Sequence, residues 1–383
     1  MLDARVAIVG GGLSGLYAAF LLEQAGIDDY LLLEARETLG GRIASVPLCG
    51  QRRAALDCAE RGDLGPAWFW PAYQAELDRL ISDLGMSRFE QYEAGDMVVE
   101  RSPQAPPVRM CGHGTTPRSM RLAGGMSALV AALRRRLESG RLVINQPARR
   151  LHITTRHVDI VTDGAGAQRT SYRVDHVLLA LPPRLAGTTL DFFPALPEAL
   201  LNEWRATPTW MASHAKYIAA YDAPFWREQG LSGEGRSARG PLAELHDASI
   251  PGGAAALFGF FGVPAHARRD LGDEMLRSLC RAQLTRLFGP QAAKPIAEVI
   301  KDWAREPYTA TTADEHGAAQ HLQAPAPSAS SGIWQSRLTG IASEWSRQFP
   351  GYLAGAIDAA GSGVQAYLRR MERQHADRRE RRS

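Results

Sequence analysis

The stretch of sequence that decides the fold is Val6-Ala7-Ile8-Val9-Gly10-Gly11-Gly12-Leu13-Ser14-Gly15. Its first four residues are all apolar and predict a short strand of the kind that is buried in a parallel sheet. Residues 16–25 then predict a helix that ends at Gly26. Residues 30–33 predict a second buried strand, and the acid Glu34 follows it. Together these segments predict one βαβ unit.

The glycines between the first strand and the helix have the spacing GxGxxG, at Gly10, Gly12 and Gly15. The first permits a tight turn, the second lets the backbone approach a pyrophosphate, and the third lets helix and strand pack closely. The start of the helix offers free N–H groups and a positive dipole end to phosphates. Glu34, 19 residues after Gly15, is placed to accept hydrogen bonds from ribose hydroxyls. The unit therefore predicts a dinucleotide site.

A second glycine turn indicates which dinucleotide is bound. Glu34-Ala35-Arg36 leads to Leu39-Gly40-Gly41-Arg42, where backbone N–H groups and a guanidinium can meet the same pyrophosphate. An NAD dehydrogenase has no use for this second element. The element resembles the glycine motif that follows the ribose-binding acid in FAD enzymes, and this resemblance implies FAD.

Length, charge and composition limit the class of protein. A chain of 383 residues exceeds the usual size of one hydrophobic core, so two domains are expected. The net charge of +3 and the scattered arginines predict no nucleic-acid-binding surface. Lys and Arg number 44, yet only Lys216, Lys294 and Lys301 are lysines, which makes each lysine more informative than usual.

Cysteine use and the N-terminus bear on location. Cys49, Cys58, Cys111 and Cys280 lie far apart without a CxxC pair, which predicts a reducing compartment with no disulfide framework and no metal site. The first strand begins within six residues of Met1, which leaves no room for a signal peptide. No apolar run approaches the ~20 residues needed to span a bilayer. A cytoplasmic protein without a membrane anchor is predicted.

Periodicity predicts the remaining elements. Apolar residues at helical spacing predict helices that end at Gly85 and at Ser139-Gly140. Short strands at residues 142–145, 151–155, 158–162 and 172–174 predict a β-meander that returns to a buried strand at 177–181. Strands are also predicted at 214–221 and 255–261, a helix at 274–288, a loop at 324–332, and a final helix from 351 to about 373.

From these motifs onward the chain resembles the flavin-containing amine oxidase superfamily, which includes monoamine and polyamine oxidases, L-amino-acid oxidases and related desaturases. The resemblance rests on residues 34–42, 63–68, 124–126 and 179–183, and on the C-terminal segment 343–356. It implies an α/β fold with a discontinuous FAD-binding Rossmann-like domain and an inserted α+β substrate domain. The implied boundaries are 1–72, 123–206 and 311–370 for the FAD domain, 73–122 and 207–310 for the substrate domain, and 371–383 for a charged tail.

The resemblance also implies site residues. Lys216 matches the lysine that contacts flavin N5 through a water, and Tyr352 matches a tyrosine beside the reactive face. Both are the predicted catalytic residues, while Trp68 and Trp70 are candidates to line the cavity. The predicted FAD-binding residues are Gly10, Gly12, Leu13, Ser14, Gly15, Glu34, Ala35, Arg36, Gly41, Arg42, Gly65, Pro66, Ala67, Trp68, Ala148, Ala180, Pro182, Trp303, Tyr308, Ser343, Glu344, Gly351, Tyr352 and Leu353.

The chain departs from the family pattern at three places. Ala342 stands where the family has a glycine before its Thr-Glu pair. Thr312 and Ala313 stand where monoamine oxidases have the flavin-linking cysteine and the second tyrosine of an aromatic cage, so FAD is expected to be bound non-covalently. The first substrate-domain insertion, about residues 73–122, is shorter than in large eukaryotic members.

Three functions follow from this reading. The leading hypothesis is oxidation of an amine or amino acid by hydride transfer to flavin N5, with molecular oxygen as acceptor, to give an imine and hydrogen peroxide. The second is a desaturase or isomerase that acts on a substrate without nitrogen. The third is a flavin-bearing partner protein without turnover. The sequence leaves the substrate open, and it does not decide between a monomer and a homodimer.

Overall fold

The computed structural model describes residues 2–49, 60–112, 114–164, 169–315 and 323–380. The strands β1 to β19 are, in chain order, Leu2–Val9, Tyr30–Leu33, Ser45–Pro47, Arg61–Asp63, Arg88–Glu90, Asp96–Glu100, Val108–Met110, Met120–Leu122, Leu142–Val143, Ala148–Ile153, Val158–Asp163, Arg169–Leu179, Asp191–Phe193, Ala215–Tyr221, Leu231–Ser237, Leu242–Asp247, Ala255–Phe261, Ala297–Asp302 and Leu338–Gly340. The helices α1 to α9 are Leu13–Gln24, Ala75–Asp83, Ser127–Arg136, Pro183–Thr189, Glu198–Ala206, Phe225–Glu228, Ala265–Leu271, Asp273–Phe288 and Leu353–Glu380.

The chain divides into two compact units. The first comprises Met1–Arg42, Val130–Met211 and Gly317–Ser383, and the second comprises Ile43–Leu129 and Ala212–His316. As a division into functional domains, the boundaries implied by the resemblance stay a prediction. As compact units the chain divides differently, because residues 43–72, 123–129 and 311–316 belong to the second unit and residues 207–211 belong to the first.

The first unit is built on a mixed sheet with the order β13-β10-β11-β12-β1-β2-β9, and β19 pairs with β12 as well. Strands β1 and β2 are parallel and are joined by α1, so the predicted βαβ unit is confirmed. Three strands of the predicted β-meander are present, since β10, β11 and β12 pair antiparallel in sequence order. The strand predicted at 142–145 is not part of it, because β9 pairs parallel with β2. Apolar residues of β1, β12 and α5, among them Val9, Leu179 and Trp204, form the core of this unit.

One strand was predicted as two. Residues 172–174 and 177–179 belong to the single strand β12, which pairs with β1 in one register from Tyr172 to Leu179. Asp175 and His176, which the prediction left between two strands, lie inside β12, because pairing with a neighbouring parallel strand holds the backbone extended through them. The final helix is longer than predicted and runs from Leu353 to Glu380, through most of the expected charged tail.

The second unit has a seven-stranded sheet with the order β18-β14-β17-β16-β15-β6-β7. One face packs on α8 through residues such as Tyr217, Leu257 and Leu284. The opposite face carries Ile218 and Phe258, which are buried against Leu48 and Leu64 of the β3–β4 region. This second face is the one that carries Lys216, because side chains alternate along a strand and Lys216 and Ile218 are two residues apart.

The cysteines correct one prediction. Cys49 is disulfide-bonded, so the expectation that the chain forms no disulfide is wrong at this residue. Cysteine pairing depends on the distance between Cα atoms in the fold, which the absence of a CxxC pair does not decide. Cys111 and Cys280 are free thiols, and Cys58 lies outside the described residues.

Among the residues that the structure describes, no helix combines the length and apolar character needed to cross a bilayer.

Candidate functional site

The turn between β1 and α1 has the geometry that a dinucleotide site needs. Gly10 has a φ of 114°, a region that glycine adopts freely, and its N–H donates to the carbonyl of Leu33. A Cβ atom on Gly15 would lie 1.9 Å from the carbonyl oxygen of Gly10, so no other residue fits there. Helix α1 begins at Leu13, and its first-turn N–H groups have no partners within the helix. This N-terminus is suited to phosphate oxygens.

Glu34 stands at the end of β2 with a fixed carboxylate. Its Oε2 accepts from the N–H of Gly11 at 2.7 Å, and its Oε1 accepts from the N–H of Arg36 at 2.9 Å. The residue is only 4% exposed. Each carboxylate oxygen has further lone pairs, so Glu34 is able to accept hydrogen bonds from ribose hydroxyls while it keeps both protein contacts. The predicted role fits this geometry.

The second glycine turn lies against the first. The N–H of Gly40 donates to the carbonyl of Gly11 at 2.9 Å, and Gly40 and Gly12 form an isolated parallel bridge. Ala180 adjoins the same turn, because its N–H donates to the carbonyl of Val9. The structure thus brings together the two glycine turns of the stretch Met1–Arg42 and Ala180 of the stretch Val130–Met211.

Arg42 is engaged by the C-terminal motif. Its Nη1 and Nη2 donate to Oε1 and Oε2 of Glu344 at 2.6 and 2.9 Å, which is a bidentate ion pair. Nη2 also donates to Oγ of Ser343 and Nη1 to the carbonyl of Trp210. Burial alone would raise the pKa of Glu344, but Arg42 outweighs it and the pKa lies below its ordinary value. Contact between Arg42 and the pyrophosphate stays a prediction.

In the sequence, Tyr352 lies between Glu344 of this ion pair and the start of α9. The segment forms a 3₁₀ turn over Ser343–Trp345, and α9 begins at Leu353. The N–H of Gly351 donates to the carbonyl of Ser343, which ties the turn to the start of the helix. Tyr352 is 37% exposed, so its ring is available to a bound molecule.

Lys216 is the buried amine of the second unit. It lies on β14, is 2% exposed, and its Nζ donates to the carbonyls of Asp63 and Gly65 at 2.9 and 2.7 Å. Nζ also lies 4.3 Å from the centroid of the Phe258 ring. Burial lowers the pKa of Lys216 to about 7, although the charge of Asp63 opposes this and Arg121 adds to it. Lys216 therefore changes its protonation near neutral pH.

Several contacts hold the first three residues of segment 63–68. Trp303 Nε1 donates to the carbonyl of Leu64 at 3.1 Å, between the two carbonyls that Lys216 binds. The side chain of Asp63 accepts from Ser45 Oγ and from the N–H of Met126, so the Gly124-Gly125-Met126 turn is attached here as well. The backbone of this segment therefore has little freedom to move.

Trp68, at the end of the segment, belongs to an aromatic cluster. Its Nε1 donates to Gln91 Oε1 at 2.8 Å. Its ring contacts those of His246, Phe258 and Phe260, with centroids 4.8 to 6.5 Å apart. The sequence assigned no role to these neighbours. The pairing of β16 with β17 places His246 opposite Phe258, two positions from Phe260.

The predicted site residues fall into two sets, one in each unit. The first unit holds Gly10, Gly12, Leu13, Ser14, Gly15, Glu34, Ala35, Arg36, Gly41, Arg42, Ala148, Ala180, Pro182, Ser343, Glu344, Gly351, Tyr352 and Leu353. The second unit holds Gly65, Pro66, Ala67, Trp68, Lys216, Trp303 and Tyr308. Trp210 was not predicted, although both its backbone groups bind the Arg42–Glu344 pair.

Comparison with known families agrees with this geometry. A family profile described as flavin containing amine oxidoreductase matches residues 100–366, and one described as NAD(P)-binding Rossmann-like domain matches residues 8–84. The chain belongs to the flavin-containing amine oxidoreductase family. As a member of this family, it is an FAD-dependent oxidoreductase with a Rossmann-like α/β fold.

Individual relatives support the family assignment. The chain is 23% identical to the "Probable flavin-containing monoamine oxidase A" of Dictyostelium discoideum, over 92% of this chain and 95% of that protein. It is 30% identical to "Amine oxidase [flavin-containing] B" of Sus scrofa, but over 52% of this chain and 38% of that protein. The solved structure of cyclohexylamine oxidase from Brevibacterium oxydans IH-35A shares the fold, with a TM-score of 0.78 at 18% identity, over 97% of this chain and 100% of that one.

Proposed function

We propose that this member of the flavin-containing amine oxidoreductase family oxidises an amine with molecular oxygen as the final acceptor. Bound FAD supplies a two-electron acceptor. The amine loses a hydride from the carbon next to nitrogen and a proton from nitrogen, which leaves an imine that water hydrolyses. Oxygen takes up two electrons and two protons and becomes hydrogen peroxide. A monoamine oxidase and a cyclohexylamine oxidase among its relatives support an amine as the substrate.

The residues of the first unit are suited to hold FAD. The glycine turn that admits no Cβ at Gly15, together with the α1 N-terminus, would hold the pyrophosphate. Glu34 would accept the ribose hydroxyls. Thr312 and Ala313 leave no thiol at the place where monoamine oxidases attach their flavin, so we propose non-covalent binding. Acid precipitation of the protein should then leave all the FAD in the supernatant.

Lys216 carries the proposal most directly. It is a buried amine with a pKa of about 7, so near neutral pH it is able to take up or release a proton without a large energetic penalty. Above this pH its neutral form is able to accept a proton that the amine loses on oxidation. We therefore propose Lys216 and Tyr352 as the residues that contact the reacting amine or the flavin. Cytoplasmic location and a homodimer stay predictions.

The test is anaerobic reduction of the purified, FAD-loaded chain. We expect at least one amine from a panel of primary amines, secondary amines and amino acids to bleach the visible flavin absorbance. Admission of oxygen should then restore the absorbance and release peroxide in equal amount. Bleaching only by substrates without nitrogen would favour a desaturase or isomerase. A flavin that no compound bleaches would favour a partner protein without turnover.

A further inference from the structure

Asp63 carries a buried carboxylate at the end of β4, and only one of its two oxygens is bonded. Oδ1 accepts from Ser45 Oγ at 2.6 Å and from the N–H of Met126 at 2.7 Å. The turn at Gly125 is shaped to this oxygen, because a Cβ atom there would lie 2.9 Å from Oδ1. Asp63 is only 4% exposed. Its side chain is therefore fixed by donors that carry no charge.

The second oxygen, Oδ2, is buried and has no hydrogen-bond partner among the described residues. A buried charged oxygen without a donor is unfavourable, because it has lost its water and gained nothing in return. Burial accordingly raises the pKa of Asp63. The ionised form of this carboxylate therefore depends on nearby positive charge.

Two buried cations supply that charge. Lys216 Nζ lies 2.9 Å from the backbone carbonyl oxygen of Asp63. The carbonyl oxygen and the carboxylate of one aspartate are at most about 5 Å apart, so the carboxylate lies within about 8 Å of Nζ. Arg121 is 3% exposed, and its two Nη atoms donate to the carbonyls of Ala248 and Ser249. Both cations thus bind backbone carbonyls, and both lower the pKa of Asp63.

The other charged side chains around Lys216 are engaged elsewhere. On β4 and on the face of the seven-stranded sheet that carries Lys216, these contacts are Lys301 with Glu306, Glu244 with His246, and Arg61 with the carbonyl of Ser45. Within the described ranges, the charges that act on Lys216 are those of Asp63, which favours the protonated amine, and Arg121, which opposes it.

We propose that Asp63 is a positioning residue whose charge holds the proton on Lys216, so that the two side chains titrate as a coupled pair. The charged amine stabilises the carboxylate. When the amine gives up its proton, the carboxylate loses that support and takes up a proton more easily. Asp63 therefore sets the pH at which Lys216 becomes a proton acceptor. The consequence of this coupling for turnover rests on the proposed function.

The experiment titrates Lys216 directly in the FAD-loaded chain by nuclear magnetic resonance. With lysine labelled at Cε with ¹³C, the three lysines give three signals, and Lys216→Met identifies that of Lys216. Asp63→Asn keeps the shape and one oxygen acceptor but removes the charge. We expect the midpoint of the Lys216 titration to fall by about one pH unit. The matched control is Asp314→Asn, at a residue of the same unit that is also 4% exposed, and it should leave the midpoint unchanged.

Ser45→Ala is a milder variant that keeps the carboxylate. It removes one donor from Oδ1, so the charged form of Asp63 is less favoured and the midpoint should fall by a few tenths of a pH unit. If Asp63→Asn does not fold, Ser45→Ala decides. An unchanged midpoint in the deciding variant, or an equal shift in Asp314→Asn, overturns the inference.

The kinetics of the same samples separate the inference from the proposed function. The rise of kcat with pH should move in Asp63→Asn by as much as the midpoint of Lys216. If the midpoint moves and the kinetic profile does not, the coupling stands and Lys216 is not the proton acceptor. If no amine bleaches the flavin, the proposed function fails, and the titration still decides whether Asp63 and Lys216 are coupled.

Discussion

The amine of Lys216 holds two backbone carbonyls, and we propose that it also exchanges a proton in the reaction. Two of them hold the carbonyls of Asp63 and Gly65, so the side chain fixes the segment that leads to Trp68. A neutral amine still has these two donors, whereas a protonated amine has a third. The contact with backbone therefore survives deprotonation, and only the third proton comes and goes near pH 7.

Two substitutions of Lys216 should separate these tasks. In Lys216→Gln the amide donates two N–H groups but does not titrate, and in Lys216→Met neither donor remains. We expect both variants to slow turnover about 100-fold and to lose the rise of kcat through pH 7, since the missing proton acceptor is common to both. Only Lys216→Met should also lose stability, by about 1–3 kcal/mol for each buried carbonyl left unpaired.

The measurements are the pH profile of kcat and thermal unfolding of the FAD-loaded chain. The chain has three lysines, and Lys294→Met is the control. It removes an amine at the end of a 3₁₀ turn, outside both sets of site residues. Unchanged turnover in both Lys216 variants would refute the assignment of Lys216. If Lys216→Gln kept full activity and Lys216→Met did not, Lys216 would be a positioning residue and not a proton acceptor.

At the scale of elements, the sequence predicts the glycine turn, but it does not predict which face of a buried strand a side chain occupies. The requirement for glycine at Gly15 is local, because an added Cβ would meet the carbonyl oxygen of Gly10, five positions away. The strand faces are not local. Strand β14 is buried along its whole length, so its sequence has no alternation of apolar and polar residues to show which side bears Lys216.

Replacement of Gly15 by alanine tests the turn. The added Cβ would meet the carbonyl of Gly10 at 1.9 Å, so α1 must move away from β1 and the phosphate-facing N–H groups move with it. We expect FAD affinity to fall at least about tenfold, and stability to fall by about 1–3 kcal/mol as in other overpacked sites. Titration of the apoprotein with FAD, followed by fluorescence, measures the first effect.

Gly361→Ala is the matched control. Gly361 lies within α9 with no heavy atom within 4 Å of an added Cβ. Alanine there should raise stability by up to about 1 kcal/mol through helix propensity and leave FAD affinity unchanged. If Gly15→Ala bound FAD as the native chain does, the predicted role of the turn would be wrong.

At the scale of the whole molecule, the first unit is assembled from stretches that lie far apart in the chain. Arg42 and Glu344 are separated by 302 positions, and their bidentate pair joins the end of the first stretch to the last. Segment 43–72 was assigned to the FAD domain by resemblance, but it lies in the second unit because Leu48 and Leu64 are buried against Ile218.

Breaking the Arg42–Glu344 pair should weaken this assembly. Glu344→Gln leaves a buried guanidinium without its charge partner, which costs about 3–5 kcal/mol in a fully buried pair. Since Arg42 is 25% exposed, we expect a loss nearer to about 2–3 kcal/mol, measured by urea unfolding. Glu90→Gln in the exposed pair with Arg118 is the control and should cost less than about 1 kcal/mol.

The same pair gives a pH dependence with a defined sign. The pKa of Glu344 is lowered in the fold from its ordinary value of 4.5, so its contribution to stability is present above pH 4.5 and is lost as the pH falls below it. The free energy of unfolding of the native chain should therefore approach that of Glu344→Gln in this acidic range. If the difference between the two persisted in acid, the ion pair would not be its source.

The sequence by itself determined the βαβ unit, the glycine turn and the place of Glu34, because these depend on backbone conformation and spacing within some 40 residues. Through resemblance it also implied FAD and predicted Lys216 and Tyr352 as site residues. Only the tertiary structure decided what surrounds them: the carbonyls of segment 63–65, the aromatic cluster at Trp68, the ion pair of Arg42 and the ring of Trp210. These contacts join residues far apart in the chain, and strand register and helix placement alone determine which of them meet.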